Sequence, residues 1–522
     1  MIIHAGMSRA HNRPRATRVI LSLALTVFLS ACAVGPEYAT PNLPIPARWS
    51  NESAQKAPKP ADLAHWWTRL RDPTLNSIIE RAVAGNLDVA TAKARVREAR
   101  ASYDQTIGSL FPSIDGTASA TRSKGAGQST TQSSGGTTST SFTNSSFGSG
   151  IYTNRVQAGL VAGWEVDLFG ANRRSAEAAL YGLDAAQEEL RATLLTMIGD
   201  IGTTYINVRN YQARIALARR TAATQRETAA ITRAKFDVGT ASGVDLANAN
   251  GQAANTEAGI PTLETALAQA IHQLSVLTGQ PPAALAAELR KAGPVPSPRL
   301  PLPVGVPADM LLARPDVRVA ERQLAQATAQ IGQAEAALYP AISLTGNLAT
   351  SGVRIGDLAK NSTITWSFGP SLSVPVFNAG ELQAAVRAAQ ARRDQQFLNL
   401  RSSVLIALEE VENALVGLAQ ERIRYQKLTE AATNYREAAR LARTLFQNGA
   451  TSFIEVLDAE RSQYSAEDAL IQSRVNIATY YVALNKALGG GWDGAIDTSK
   501  PEVIDHNTGP HLMRAPARVK TR

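Results

Sequence analysis

This chain is a single pattern written twice, and that duplication limits its possible folds more than anything else in it. Asn86-Leu87-Asp88-Val89 recurs as Arg314-Pro315-Asp316-Val317, and Leu110-Phe111-Pro112-Ser113-Ile114 recurs as Leu338-Tyr339-Pro340-Ala341-Ile342, both at an offset of 228 residues. Further along the offset is 210, relating Phe236-Asp237-Val238-Gly239 to Phe446-Gln447-Asn448-Gly449, Val244-Asp245-Leu246 to Ile454-Glu455-Val456, and Leu277-Thr278-Gly279 to Ala487-Leu488-Gly489. The shift has a visible source. Residues 123–150 hold 15 Ser/Thr and 6 Gly, a loop composition with no counterpart of that length in the second copy. A fixed internal repeat dictates one supersecondary unit used twice, here over 73–290 and 309–490.

Each copy reads helix, strand, loop, strand, long helix, tight turn, return helix. Residues 172–238 lack proline and are rich in Ala, Glu, Gln, Arg and Leu, as is the stretch from 379 to 448; this composition suits helix. At 1.5 Å per residue the first would run roughly 100 Å, and so long a helix needs partners along its length. Gly239 and Gly449 are placed to end these helices in a left-handed turn. Ser242 with Asp245, and Ser452 with Glu455, predict capping boxes opening the return helices. Two hairpins follow, at 172–278 and 379–488, and Pro261 predicts a kink or restart in the first return helix.

The expected strands are 113–122, 156–168, 341–350 and 364–376. In the last, Ile364, Trp366, Phe368, Pro370, Leu372, Val374 and Val376 alternate with Thr365, Ser367, Gly369, Ser371, Ser373 and Pro375. Period-two alternation of this length suits a tilted membrane-spanning strand, for which about 9–11 residues suffice. A soluble sandwich shares the alternation. Four strands cannot close a barrel, and open edges are not viable in lipid, so membrane strands would require several chains. An interior wide enough for water requires more than the roughly 8 strands whose barrels fill with side chains; three or more chains satisfy this.

The start of the chain is an address. Arg9, Arg13, Arg15 and Arg18 precede an apolar run from Val19 to Leu29 that ends in Leu29-Ser30-Ala31-Cys32. This is a secretory signal, too short to span a bilayer, which takes about 20 residues. Residues 1–31 are the expected signal peptide. The sole cysteine stands at the cleavage site, as in a bacterial lipobox, which implies acylation at Cys32 and, with Ala33 following, the outer membrane. One cysteine excludes internal disulfides and thiol metal clusters. The formal charge of +9 owes four units to that leader, so no phosphate-binding surface and no nucleic acid is expected. Residues 32–72 are proline-rich and read as an extended segment pinned by Trp49, Trp66 and Trp67; 491–522 read as a polar, disordered tail.

Several local markers converge. Gly35-Pro36-Glu37-Tyr38 with Pro41, Trp66-Trp67, Asp72-Pro73, Asn86-Leu87-Asp88, Arg314-Pro315-Asp316-Val317, Tyr339-Pro340 and Pro375-Val376-Phe377 together resemble the TolC-like outer-membrane efflux factors, in their lipoprotein branch serving resistance–nodulation–division pumps. The likeness covers about 32–490. It implies a mainly α fold with a membrane β part: a homotrimer forming a twelve-strand β-barrel continuous with a twelve-helix periplasmic α-barrel. The implied partners are a periplasmic adaptor, an inner-membrane pump and outer-membrane lipid. The role implied is a passive, non-enzymatic exit duct for drugs or other small molecules, without a cofactor.

The family closes its periplasmic end with acids near the turns, which here fall at Asp245, Glu455 and Asp458. Glu455 and Asp458 lie three apart and share a helix face; Asp245 and Glu455 would equally serve as caps. The resemblance assigns docking of adaptor or pump to the turns at Gly239, Ser242, Gly449 and Ser452. Thr451 stands where family members often carry an arginine that ties the closed state, and Asn248 where an acid would strengthen the ring. The six histidines are scattered without metal-ligand spacing, and no Walker loop or nucleophile elbow occurs. A metal-export or type I secretion duct, and a lipid-anchored helical scaffold without a pore, are the competing readings.

Overall fold

The structure is a computed structural model, and it describes residues 33–46, 49, 63–125, 151–298 and 311–503. Cys32 and the signal peptide lie outside the described residues. A short 3-10 turn, Trp66–Leu70, precedes α1 (Pro73–Gly85) and α2 (Leu87–Gly108). β1 (Ser113–Gly125), β2 (Ile151–Val166), α3 (Ala171–Asp237) and α4 (Gly243–Leu277) complete the first copy, followed by the single turn α5 (Ala286–Leu289). The second copy repeats the order as α6 (Pro315–Ala336), β3 (Ala341–Gly352), β4 (Ile364–Ser373), α7 (Glu381–Gln447) and α8 (Phe453–Ala487). α3 and α7 are each 67 residues long, α4 and α8 each 35. Among the described residues no helix is long and apolar enough to cross a membrane.

The strands form one antiparallel sheet in the order β1-β2-β3-β4. Their bounds differ from the sequence reading for physical reasons. β1 and β2 extend to Gly125 and Ile151, because Ser123, Lys124 and Gly125 keep pairing with Thr153, Tyr152 and Ile151, so the loop-like composition begins inside the strand. β4 stops at Ser373, two residues short of Pro375, which has no N–H to give a ladder. α4 runs unbroken through Pro261, so the expected restart does not occur.

The repeats are not the compact units. One unit takes residues up to Ala39 with Ser102–Leu180 and Ala325–Asp394; the other takes Thr40–Ala101, Tyr181–Leu324 and Gln395 onward. Each draws on both copies. In the first unit, residues after Cys32 lie extended. Val34 donates its N–H to the Phe169 carbonyl at 3.1 Å, Arg174 donates to the Val34 carbonyl at 3.2 Å, and Phe169 stacks on Tyr339 at 4.7 Å. Gly35 has φ +93°, and a Cβ there would collide with the Gly332 Cα, so only glycine fits.

In the second unit the local markers prove to be structural ties. Trp49, Trp66 and Trp67 are buried, and Tyr481 donates its hydroxyl to the Trp66 carbonyl at 3.0 Å. Asp72 caps α1 by accepting from Thr74 and Leu75, and also accepts from the Tyr205 hydroxyl at 2.5 Å. Burial first, then this carboxylate, pushes the Tyr205 phenol well above its usual range; Arg209 donates to the same phenol oxygen at 2.6 Å. Asn86 accepts from Asp88 and Val89 at the start of α2 and donates to the Leu277 carbonyl at the end of α4, 2.8 Å away. Its repeat equivalent, Arg314, donates to the Ala487 carbonyl at the end of α8, 2.6 Å away. Each copy therefore binds the residue opening its short helix to the last turn of its return helix. The tail departs from the expected disorder over its described part: Trp492 stacks on Trp67 at 6.3 Å, and Arg97 donates to the Lys500 carbonyl at 2.9 Å.

Candidate channel wall and hairpin constriction

Register decides the character of the sheet. Directly paired residues share a face, and the pairs run Gly116–Leu160–Leu348–Trp366, Ile114–Ala162–Gly346–Phe368 and Val166–Ile342–Leu372. The opposite face runs Asp115–Val161–Asn347–Ser367, Thr117–Gly159–Ala349–Thr365 and Glu165–Ser343–Ser371. One face is a continuous apolar band; the other is mostly polar and small. On the band Trp366, Phe368 and Leu372 are 78%, 72% and 64% exposed. Large contiguous apolar exposure marks a surface that meets something other than water, and polar-in, apolar-out alternation is the pattern of a lipid-facing barrel wall. Among the described residues, β1 and β4 are edges with no neighbour on one side.

The two hairpin turns are near-copies at the backbone. Gly239 has φ +78° and Gly449 φ +75°. Added Cβ atoms would meet nothing within 4 Å at either position, so glycine is needed for its left-handed conformation alone. Thr240 and Ala450 donate back to the carbonyls of Lys235 and Leu445, each at 2.8 Å. After the turns the copies diverge. Ser242 and Asp245 form the expected reciprocal capping box: Asp245 N–H donates to Ser242 Oγ at 3.1 Å, and Ser242 N–H donates to the Asp245 carboxylate at 3.1 Å. The second box does not form. The Ser452 side chain caps nothing, because Glu455 is held instead by the hydroxyl of Thr451, one residue earlier. Asp458, one turn beyond Glu455, is exposed, and no described residue pairs with it. Asn248 is also exposed.

Beneath the turns, Phe446, Phe453, Val456 and Leu457 pack with Ala229 and Ala249, holding the ends of all four long helices in one apolar knot. Polar ties that sequence alone did not identify run between the hairpins. Arg214 on α3 grips Asp468 on α8 at 2.7 and 3.2 Å, and Arg461 on α8 donates to Gln252 on α4 at 2.9 Å. Glu460 is buried against α3, accepting from Thr228 at 2.9 Å with Arg443 at 3.7 Å; burial raises its pKa above the usual carboxylate value. These pairs across the hairpins join residues 209 to 254 positions apart, so no local pattern announces them.

A mostly polar face backed by an exposed apolar one, in a chain with paired 67-residue helices, defines a subunit of a membrane channel. The outer membrane efflux protein family matches residues 78–280 and 306–490, and this chain belongs to it. Nodulation protein T of Rhizobium leguminosarum bv. trifolii is 34% identical over 470 residues, covering 90% of this chain and 96% of that one. The toluene efflux pump outer membrane protein TtgC of Pseudomonas putida is 32% identical, covering 91% and 96%. The solved structure of the outer-membrane channel OprN superposes with a TM-score of 0.79 at 33% identity, over 88% of this chain and 100% of that one. The fold is that of the TolC-like channels, and the chain is an outer-membrane efflux channel reaching into the periplasm.

Proposed function

We propose that three copies pool their four-stranded sheets into a twelve-strand β-barrel, with the helical hairpins forming a twelve-helix periplasmic tunnel. The assembly is the exit duct of a tripartite system that exports drugs or other small molecules. The single observation that carries this reading is the two-faced sheet, whose two edges are open among the described residues. Lipid tolerates no unpaired backbone, so β1 of one copy must pair with β4 of the next, and the polar face then lines water. An inner-membrane pump supplies energy and selection, a periplasmic adaptor joins the two, and the duct itself carries out no catalysis. Acylation at Cys32 holds the chain in the outer membrane beside its barrel.

Asp245, Glu455 and Asp458 form the periplasmic constriction, and the turns at Gly239, Ser242, Gly449 and Ser452 are the docking points for adaptor or pump. Rings of acids favour cations. Asp458 is the strongest of the three, since its carboxylate is exposed and unpaired among the described residues, whereas Asp245 is engaged as a cap and Glu455 by Thr451. With Thr451 binding Glu455 in place of an arginine, the closed state is held by the polar ties of Arg214, Arg461 and Thr228 rather than by a cation at the second turn.

The test is electrical: the purified, acylated protein reconstituted in a planar bilayer should give discrete cation-preferring conductance steps. A trimer that inserts and never conducts would overturn the duct, leaving a lipid-anchored scaffold.

A further inference from the structure

The outward face of the sheet is not uniform along its length. Register places Ile114, Gly116, Ala118, Ala120, Arg122 and Lys124 of β1 on the apolar face with Leu160 and Trp366. The β1 face thus changes from apolar to basic toward the hairpin-loop end, which is the end opposite the helix connections at Ser113, Val166, Ala341 and Ser373. In a barrel whose helices point to the periplasm, the loop end is the external leaflet. The Arg122 guanidinium lies 5.0 Å and the Lys124 ammonium 5.6 Å from the Tyr152 ring, a basic and aromatic rim at the interface depth. Neither cation has a carboxylate partner among the described residues. The adjoining loop, 126–150, contains no Asp or Glu, and the acid of the facing loop, Asp357, is taken by Lys360 at 2.6 Å.

Directly inward of this rim is an apolar trench of about 550 Å³. It is an open depression lined by Ala118, Ala158, Leu160, Leu348, Leu358 and Ile364. Leu358 belongs to the β3–β4 loop, which is tied to the outward face: Thr350, on that face, donates to the Leu358 carbonyl at 3.1 Å and shares a 2.9 Å bond with Thr363. Gly352 permits this, since a Cβ there would collide with the Asp357 Cβ.

We infer that this rim and trench bind a phosphate-bearing, multi-acyl glycolipid of the external leaflet, with one fatty-acyl chain in the trench and its phosphates on Arg122 and Lys124. The inference rests on the sheet being a barrel wall. Charge complementarity selects the occupant: two cations with no carboxylate partner among the described residues, beside an apolar slot, match an anionic headgroup carrying acyl chains, and their position at the loop end selects the external leaflet over the internal one.

Delipidated full-length channel in detergent, titrated with bisphosphorylated lipid A and read by native mass spectrometry, tests it. Wild type should bind lipid A in preference to its dephosphorylated form and to phosphatidylglycerol. Arg122→Gln with Lys124→Gln should weaken lipid A binding by roughly thirtyfold, each basic side chain near a headgroup contributing about fivefold, and Ala118→Leu should weaken it by filling the trench while leaving the rim intact. Both variants sit on exposed positions, and bilayer conductance reports whether each still assembles. Equal affinity of the conducting double variant and wild type would overturn the phosphate site. Equal binding of phosphatidylglycerol would overturn the external-leaflet assignment. A wild type that conducts and binds no lipid A removes the site and leaves the channel standing, whereas a wild type that never conducts removes the barrel beneath both.

Discussion

Replacing Arg314 by methionine should loosen the end of α8 by an amount the structure fixes. The guanidinium is buried and donates to the Ala487 carbonyl at 2.6 Å. It also donates to Asp316 at 2.7 Å and Glu410 at 2.8 Å. Burial opposes its charge, but these two carboxylates more than offset that and hold its pKa above the ordinary arginine value. Methionine keeps much of the apolar stem's packing. The carbonyl loses this donor, which costs about 1–3 kcal/mol for a buried acceptor. The two carboxylates are about half exposed and regain water, so each adds less than about 1 kcal/mol. The sum is about 2–4 kcal/mol, or roughly a hundredfold at 1.4 kcal/mol per factor of ten. Hydrogen exchange at the amides of Leu488, Gly489 and Gly490, which close the last turn of α8, should accelerate by that factor in the folded variant. Asn86→Ala is the matched control, loosening the end of α4 through the lost bond to Leu277. A folded Arg314→Met protein with unchanged exchange over 484–490 would refute the claim that this residue fastens the return helix.

Three other outcomes are testable. Asp458→Ala should raise resting conductance and reduce cation preference several-fold, as the removal of exposed charge from a narrow opening requires; unchanged ion selectivity in planar bilayers would exclude it from the constriction. Glu460 has a raised pKa, so the folded state binds its proton more readily than the unfolded one. Its contribution is favourable below the unfolded value of 4.5 and is lost as pH rises through the higher folded value. Glu460→Gln should therefore remove a component of stability that increases on acidification across that window, seen as a flatter plot of Tm against pH; an identical slope in both proteins would contradict it. Cys32→Ser should abolish incorporation of radiolabelled palmitate, and persistent labelling would place the lipid on another residue.

Much of the fold was legible in the sequence because it depends on local regularities. Gly239 and Gly449, each closing a long run without proline, specify where the long helices must turn, and the doubled order of elements follows from the offsets alone. The hairpin cap at Ser242 was legible for the same reason, since a capping box is complete within four residues. Its partner at Ser452 was misread because the same local chemistry offered two donors to Glu455, and only the geometry of the turn decided for Thr451. The bounds of β1 failed differently. Ser123 to Gly125 have loop composition, yet a partner strand continued to supply hydrogen bonds, and pairing outweighs propensity in a strand.

Periodicity, turn chemistry and composition were enough to specify a duplicated unit, its long hairpins and its alternating strands. Each of these is a property of neighbouring residues. Folding in three dimensions was needed to align the alternation of four separate strands into one apolar and one mostly polar face. It was needed, too, to make Arg314 and Asn86 ties to the ends of return helices, and to put Arg122 and Lys124 on the same face of the sheet as the Thr350 hydroxyl that holds the β3–β4 loop. These outcomes depend on register and on contacts between residues distant in the chain, which no local pattern encodes.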